Sequence, residues 1–292
     1  MDIQKLLFVT KFEELGFDAL QSLLTLRSAS LQHVVFVNVI ERSRVAMRRG
    51  AGYIKSEEVR LRERANIRFI DWAEHLFEQG MEVGVYIVVG SLVSQVIEAT
   101  KKENADLIVI GKSEKPMLEQ FYSGPDVTEI IRRAAVPVLV YKPVPESNLA
   151  LESPFQRPML ATDWSAGSLR SVGYIKQLKD VVSEVNVISV VEEKTLRGDS
   201  AMRIQKFRKE ARQKLESLCE EFEAAGIQAR AHVYVGDPYE EIERAARECQ
   251  ATLIVAGSSA KPAWAERWIG SVPLAIAEKS AYPTMLVPPE KS

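Results

Sequence analysis

Gly257-Ser258-Ser259-Ala260 is followed, after nine intervening residues, by Gly270-Ser271-Val272. Glycines let a loop's backbone come close to a ligand. The free N–H groups at a helix start then favour an anion. The chemistry this spacing suggests is phosphate binding, with the Ser271 hydroxyl as an added donor and Lys261 and Arg267 in the same loop as cations. Ala260 brings a methyl group beside any phosphate. A carboxylate, Asp163, stands just after the apolar run Met159-Leu160-Ala161, next to Thr162.

Other chemistries find less support. The segment GxxxxGK[ST] is absent, and no Ser-His-Asp or Cys-His set can be assembled. His33, His75 and His232 have no metal-ligand spacing to one another or to Cys219 and Cys249. Two cysteines in a chain this long make no disulfide framework. Both read as small core hydrophobes.

The elements that must position these residues alternate. Strands are expected at 6–9, 34–40, 83–89, 107–110 and 138–141, with helices at 13–27, 56–79, 92–102 and 126–134 between them. The order then recurs. Strands are expected at 159–161, 185–190, 228–235, 253–256 and 284–287, and helices at 165–179, 201–225, 238–248 and 272–278. Gly80 and Gly226 follow the two longest helices as C-caps. Short continuous apolar strands alternating with helices imply a parallel sheet covered on both faces. In such doubly wound sheets, ligands bind beyond the carboxyl ends of the strands, at the switch in strand order. The residues after the first and fourth strands of each half are therefore the candidates.

The recurrence is a sequence repeat. Gly90 matches Gly236, Ala105 matches Ala251, Gly111 matches Gly257, Gly124 matches Gly270 and Pro137 matches Pro283, every pair 146 residues apart. Thr10 matches Thr162 at a spacing of 152, so the halves differ by a few residues in the loop after the second strand. The polar, proline-containing stretch that begins Lys142-Pro143-Val144-Pro145 reads as a short linker. It divides the chain into domains at 1–146 and 156–292.

Composition narrows the function classes. Of 292 residues, 38 are Lys or Arg and 40 Asp or Glu, a net charge of −2, which argues against an electrostatic grip on nucleic acid or anionic lipid. The arginines of 60–68 are interleaved with Glu63 and read as a solvated helix face. No run approaches the ~20 apolar residues of a membrane span, and the first ten residues read as a strand rather than a leader. A cytoplasmic protein is expected.

The spaced glycines, the run Met159-Leu160-Ala161-Thr162-Asp163 and the turn Val235-Gly236-Asp237-Pro238 together resemble the universal stress protein family, twice over nearly the whole chain. The resemblance implies a tandem member: two doubly wound, Rossmann-like α/β domains of the adenine nucleotide alpha hydrolase type, five strands each. It implies ATP or AMP as ligand, with Mg as a companion ion. It places Asp163 against the adenine and Val190 against the base. Thr162, Gly257, Ser259, Ala260, Gly270, Ser271 and Val272 complete the site. In the first half, Lys11 stands where Asp163 does, Glu114 stands at the position of Ala260, where the family has a glycine, and Pro125 follows Gly124 where Ser271 follows Gly270. A carboxylate repels phosphates and proline has no N–H to donate. No cofactor is expected in that half, whose role is to pair with the other as a pseudo-dimer.

Members of the family commonly pair through the last strand, and the apolar edges Val138-Leu139-Val140 and Met285-Leu286-Val287 call for such cover. A further homodimer of the tandem chain stays open. Loop aromatics Trp264, Trp268, Phe121 and Tyr122 read as packing groups or, alternatively, a surface for an unidentified protein partner. Three function classes compete: a regulatory stress-response protein that binds ATP or AMP, a ligand-free interaction or chaperone-like scaffold, and a slow ATPase.

Overall fold

The computed structural model describes residues 2–11, 15–46, 52–111, 124–142, 153–192, 201–258 and 271–290. The first half runs β1 (Lys5–Val9), α1 (Phe17–Leu23), a 3₁₀ segment (Leu24–Ala29), β2 (His33–Glu41), α2 (Arg42–Val45), α3 (Lys55–Glu78), β3 (Glu82–Gly90), α4 (Leu92–Glu103), β4 (Leu107–Gly111), α5 (Gly124–Arg133) and β5 (Val138–Tyr141). The second runs β6 (Pro158–Ala161), α6 (Ala166–Gln177), β7 (Glu184–Glu192), α7 (Ala201–Ala224), β8 (Gln228–Gly236), α8 (Pro238–Glu248), β9 (Leu253–Gly257), α9 (Ser271–Lys279) and β10 (Thr284–Val287).

Local sequence accounts for most of these elements. In α3 the buried residues are Leu61, Ala65, Phe69, Trp72 and Leu76, the spacing of one helical stripe. Gly80, at φ 74, ends that helix in the left-handed conformation glycine adopts most easily. Asp237 caps α8, its Oδ1 accepting from the N–H groups of Tyr239 and Glu240, and Pro238 sits at the first helical position. Strands β1, β4 and β9 are buried along almost their whole length, as both-faces-covered strands must be.

One expected helix is different. Regular α-helix covers only Phe17–Leu23, and the chain then tightens into the 3₁₀ segment, which ends at Ser30 with φ 99. Ser22 Oγ donates to the Ala19 carbonyl at 2.8 Å, a local bond that competes with the helical ladder. Residues 13 and 14 of the expected helix lie outside the described residues. The short helix α2 was not expected.

The ten strands form one sheet in the order β3-β2-β1-β4-β5-β10-β9-β6-β7-β8. Every pairing is parallel except β5 with β10, where Val140 faces Thr284, Leu139 faces Met285 and Val138 faces Leu286. The expected pseudo-dimer is thus built through the last strands. Two edges related by a twofold axis normal to a sheet must run antiparallel, which explains the single reversal. Thr128 Oγ1 donates to Glu278 at 2.9 Å across the join, and the Lys142 ammonium donates to the Ser280 carbonyl. One sheet face packs on α1, α3, α6 and α7, where Phe36 stacks on Phe69 at 5.0 Å. The other packs on α4 and α5 in the first half and on α8 and α9 in the second.

Candidate functional site

The strand order reverses direction between β6 and β9, and the second-half site is built at their carboxyl ends. β6 ends at Ala161, and the next residues fold into a tight double turn. Thr162 Oγ1 accepts from the Trp164 N–H at 3.1 Å, and Asp163 Oδ1 accepts from the Ser165 N–H at 3.0 Å. Between them Trp164 takes φ 64, a left-handed conformation that costs a non-glycine residue about 1 kcal/mol or more. Thr162 is buried and shares a further hydrogen bond with Ser168 Oγ at 3.1 Å. Asp163 stays exposed at the mouth. Ser165 then caps α6, its side chain accepting from the Ser168 N–H.

A cleft of about 280 Å³ opens beside this turn. Ile188 and Val190 of β7, Ile242 of α8, and Ala256 and Ile276 make its walls apolar. Gly257 ends β9 against it, Asp163 and Glu192 bring two carboxylates, and Val272 and Pro273 bring the first turn of α9. Pro273, the third residue of α9, has no N–H, so Ser271 and Val272 supply the first backbone donors there. The arrangement can receive a flat apolar group between β7 and α8, accept hydrogen bonds at the carboxylates, and meet an anion at the helix start.

Thr162, Asp163, Val190, Gly257 and Val272 are brought together on this cleft. Ser271 opens α9, and nothing is described of its side chain. Ser259, Ala260 and Gly270 lie outside the described residues, as do Lys261, Arg267, Trp264 and Trp268. Glu192, Ile188, Pro238, Ile242, Pro273 and Ile276 line the cleft without having been singled out for it. For Glu192 the signal lay in the repeat: it ends β7 opposite Gly236, as Glu41 ends β2 opposite Gly90.

The first half differs at the matching place. The Lys11 ammonium lies 2.8 Å from Glu41 Oε1, with the lysine side chain only 8% exposed. An ion pair therefore ties the ends of β1 and β2 together where Asp163 and Glu192 stand in the second half. Gly111 ends β4 and Gly124 opens α5, with Pro125 as its second residue. Glu114, Phe121 and Tyr122 are outside the described residues.

Among the described residues, no group of three or more His, Cys, Asp or Glu could hold a metal ion. Nor is any helix there long and apolar enough to cross a membrane. Cys219 is buried in α7, and burial pushes its thiol up to about 11.

Comparison with known proteins agrees with this architecture. The profile of the universal stress protein family matches residues 2–142 and again 154–288. A universal stress protein of Methanocaldococcus jannaschii is 26% identical over 153 residues, 48% of this chain and 94% of that protein. The crystal structure of a universal stress protein from Archaeoglobus fulgidus superposes with a TM-score of 0.73 at 20% identity, covering 99% of this chain and 98% of that one. A protein of unknown function from Pseudomonas aeruginosa superposes with a TM-score of 0.65 at 18% identity, covering 99% and 93%.

Proposed function

Because this chain belongs to the universal stress protein family, we propose that it is a cytoplasmic regulatory protein that binds one adenine nucleotide, ATP or AMP, in the cleft of its second half. The observation that supports this most is the contrast between the halves. The second-half cleft is open between Asp163, Glu192 and the apolar wall of Val190 and Ile242, whereas Lys11 and Glu41 bridge the same place in the first. The base fits between the β7 and α8 walls, with its exocyclic amine donating to Asp163. The phosphates run toward the start of α9, where Ser271 and Val272 offer N–H groups and Mg accompanies the triphosphate. The units are 1–146, which holds no ligand, and 156–292, which holds the nucleotide and passes its state to a protein partner.

The test is thermal unfolding titrated with Mg-ATP and with AMP, beside Asp163→Lys. That variant sets a lysine beside Glu192 as Lys11 lies beside Glu41. At about 100 times its dissociation constant a ligand stabilises by about 2.7 kcal/mol, a rise of several degrees. A rise in the wild type that disappears in Asp163→Lys supports the reading. No rise with millimolar ATP or AMP, in protein purified free of nucleotide, overturns it.

A further inference from the structure

The outer edges of the sheet are β3 in the first half and β8 in the second. On β3, Arg62 of α3 reaches over the edge and donates to the Ile87 carbonyl. Glu58, one turn earlier, holds the same guanidinium at 2.7 Å. The repeat spacing of 146 sets Arg208 at the position of Arg62 and Val233 at that of Ile87. Where Glu58 would recur, the sequence has Ile204.

The second-half edge is correspondingly open. A groove of about 1010 Å³ separates α7 from β8, and Ala231, His232, Val233 and Tyr234 all line it. Successive strand residues point to opposite faces, so four in a row on one groove means that the edge backbone itself is in the wall. β8 pairs with β7 on one side alone. The facing wall is cationic. Arg208 and Lys209 have no hydrogen-bond or ion-pair partner among the described residues. Their neighbours Lys206 and Arg212 are paired with Glu210 and Glu216 along the helix.

We propose that the β8 edge and α7 form a docking groove for an extended acidic segment of a partner protein. The segment adds to the sheet as a strand, and its alternate carboxylates meet Arg208 and Lys209. An unpaired strand edge supplies backbone donors and acceptors, and the cations select the sequence. A second copy of the chain fits poorly, since twofold pairing of β8 with β8 sets the two cationic walls beside one another. Nucleic acid fits poorly too: two cations without an ion-pair partner among the described residues, on a chain of net charge −2, neutralise few phosphates.

The probe is a fluorescein-labelled dodecapeptide of alternating Glu and Val, read by anisotropy against the full chain at low salt. The controls are a peptide with its central valines replaced by proline and a twelve-residue oligothymidine. Binding should weaken at least tenfold in Arg208→Glu/Lys209→Glu and with the proline peptide. Bound peptide should slow amide exchange at 231–234. If charge reversal unfolds α7, Arg208→Gln/Lys209→Gln applies the same test. The proposal is overturned by no binding at millimolar peptide, by equal binding to wild type and variant, or by equal binding of the proline peptide. It is also overturned by tighter binding of the oligothymidine, or by self-association of the chain that the variant abolishes.

Discussion

Gly257 at the end of β9 and Gly167 in the first turn of α6 meet backbone to backbone. A Cβ on Gly257 would lie 2.6 Å from the Gly167 carbonyl carbon and 2.1 Å from the Ser168 nitrogen. The first glycine of the candidate phosphate loop is therefore required by helix-on-sheet packing, whatever it does for a ligand. Gly257→Ala should destabilise by about 3 kcal/mol or more, because backbone rather than a flexible side chain must move. Gly173, also in α6, is exposed and has nothing near its Cβ position. Gly173→Ala should instead stabilise by about 0.5–1 kcal/mol. Urea unfolding of the two variants reads both signs, and equal effects would refute the packing argument.

The Lys11–Glu41 pair leads to an expectation of stoichiometry. Equilibrium dialysis with labelled ATP should saturate at one nucleotide per chain. Lys11→Asp should leave that number unchanged, since Pro125 has no N–H at the position where Ser271 offers one in the second half. Two equivalents in the wild type would contradict the assignment of the site to one half.

Leu139 of β5 faces Met285 of β10, and both are fully buried. Leu139→Asp sets a carboxylate in that join and should cost on the order of 4 kcal/mol. Calorimetry should show one transition in the wild type and two separated ones in the variant. A variant that still melts in a single step near the wild-type temperature would mean that the halves are not coupled through this strand pair.

Two histidines set an acid limit on stability. Burial, followed by the charge of Lys5, holds His33 below the ordinary histidine value, and burial followed by Arg230 does the same for His232. His33 also has its Nε2 buried without a hydrogen-bond partner. A histidine held low binds its proton more readily in the unfolded chain. Its contribution is complete above about pH 6.5 and is lost as pH falls from there through the lower folded value. Urea midpoints at pH 7.5 and 5.5 should therefore differ more for the wild type than for His33→Gln/His232→Gln. Identical differences would remove the histidines from the account.

The fold was largely legible because strands buried on both faces are written as unbroken apolar runs. Leu107-Ile108-Val109-Ile110 and Leu253-Ile254-Val255-Ala256 announce themselves, and a repeat spacing carries one reading onto the other half. The break after Leu23 was not legible, because Leu23, Leu24 and Leu26 continue an apolar pattern while hydroxyls at 22 and 25 turn the chain. In the candidate site, Asp163 was found from its place after a strand. Glu192 was missed because one acidic residue among many gives no local signal, and only the register opposite Gly236 marks it. The left-handed Trp164 leaves no trace in residue type at all, since the turn is held by the N–H groups of Trp164 and Ser165 donating to the side chains of Thr162 and Asp163. Ser259, Ala260 and Gly270 rest on sequence alone.

The antiparallel seam of β5 and β10 has a genetic meaning. In an assembly of two identical subunits, each codon change is copied into both partners, so a site can be kept twice or lost twice. A seam within one polypeptide lifts that restriction. Lysine could enter at position 11 while aspartate stayed at 163, and an arginine could close one outer strand while its counterpart was left open to solvent. A protein with two faces of different purpose is thus within reach of single substitutions, on a scaffold whose halves still fit each other as twins.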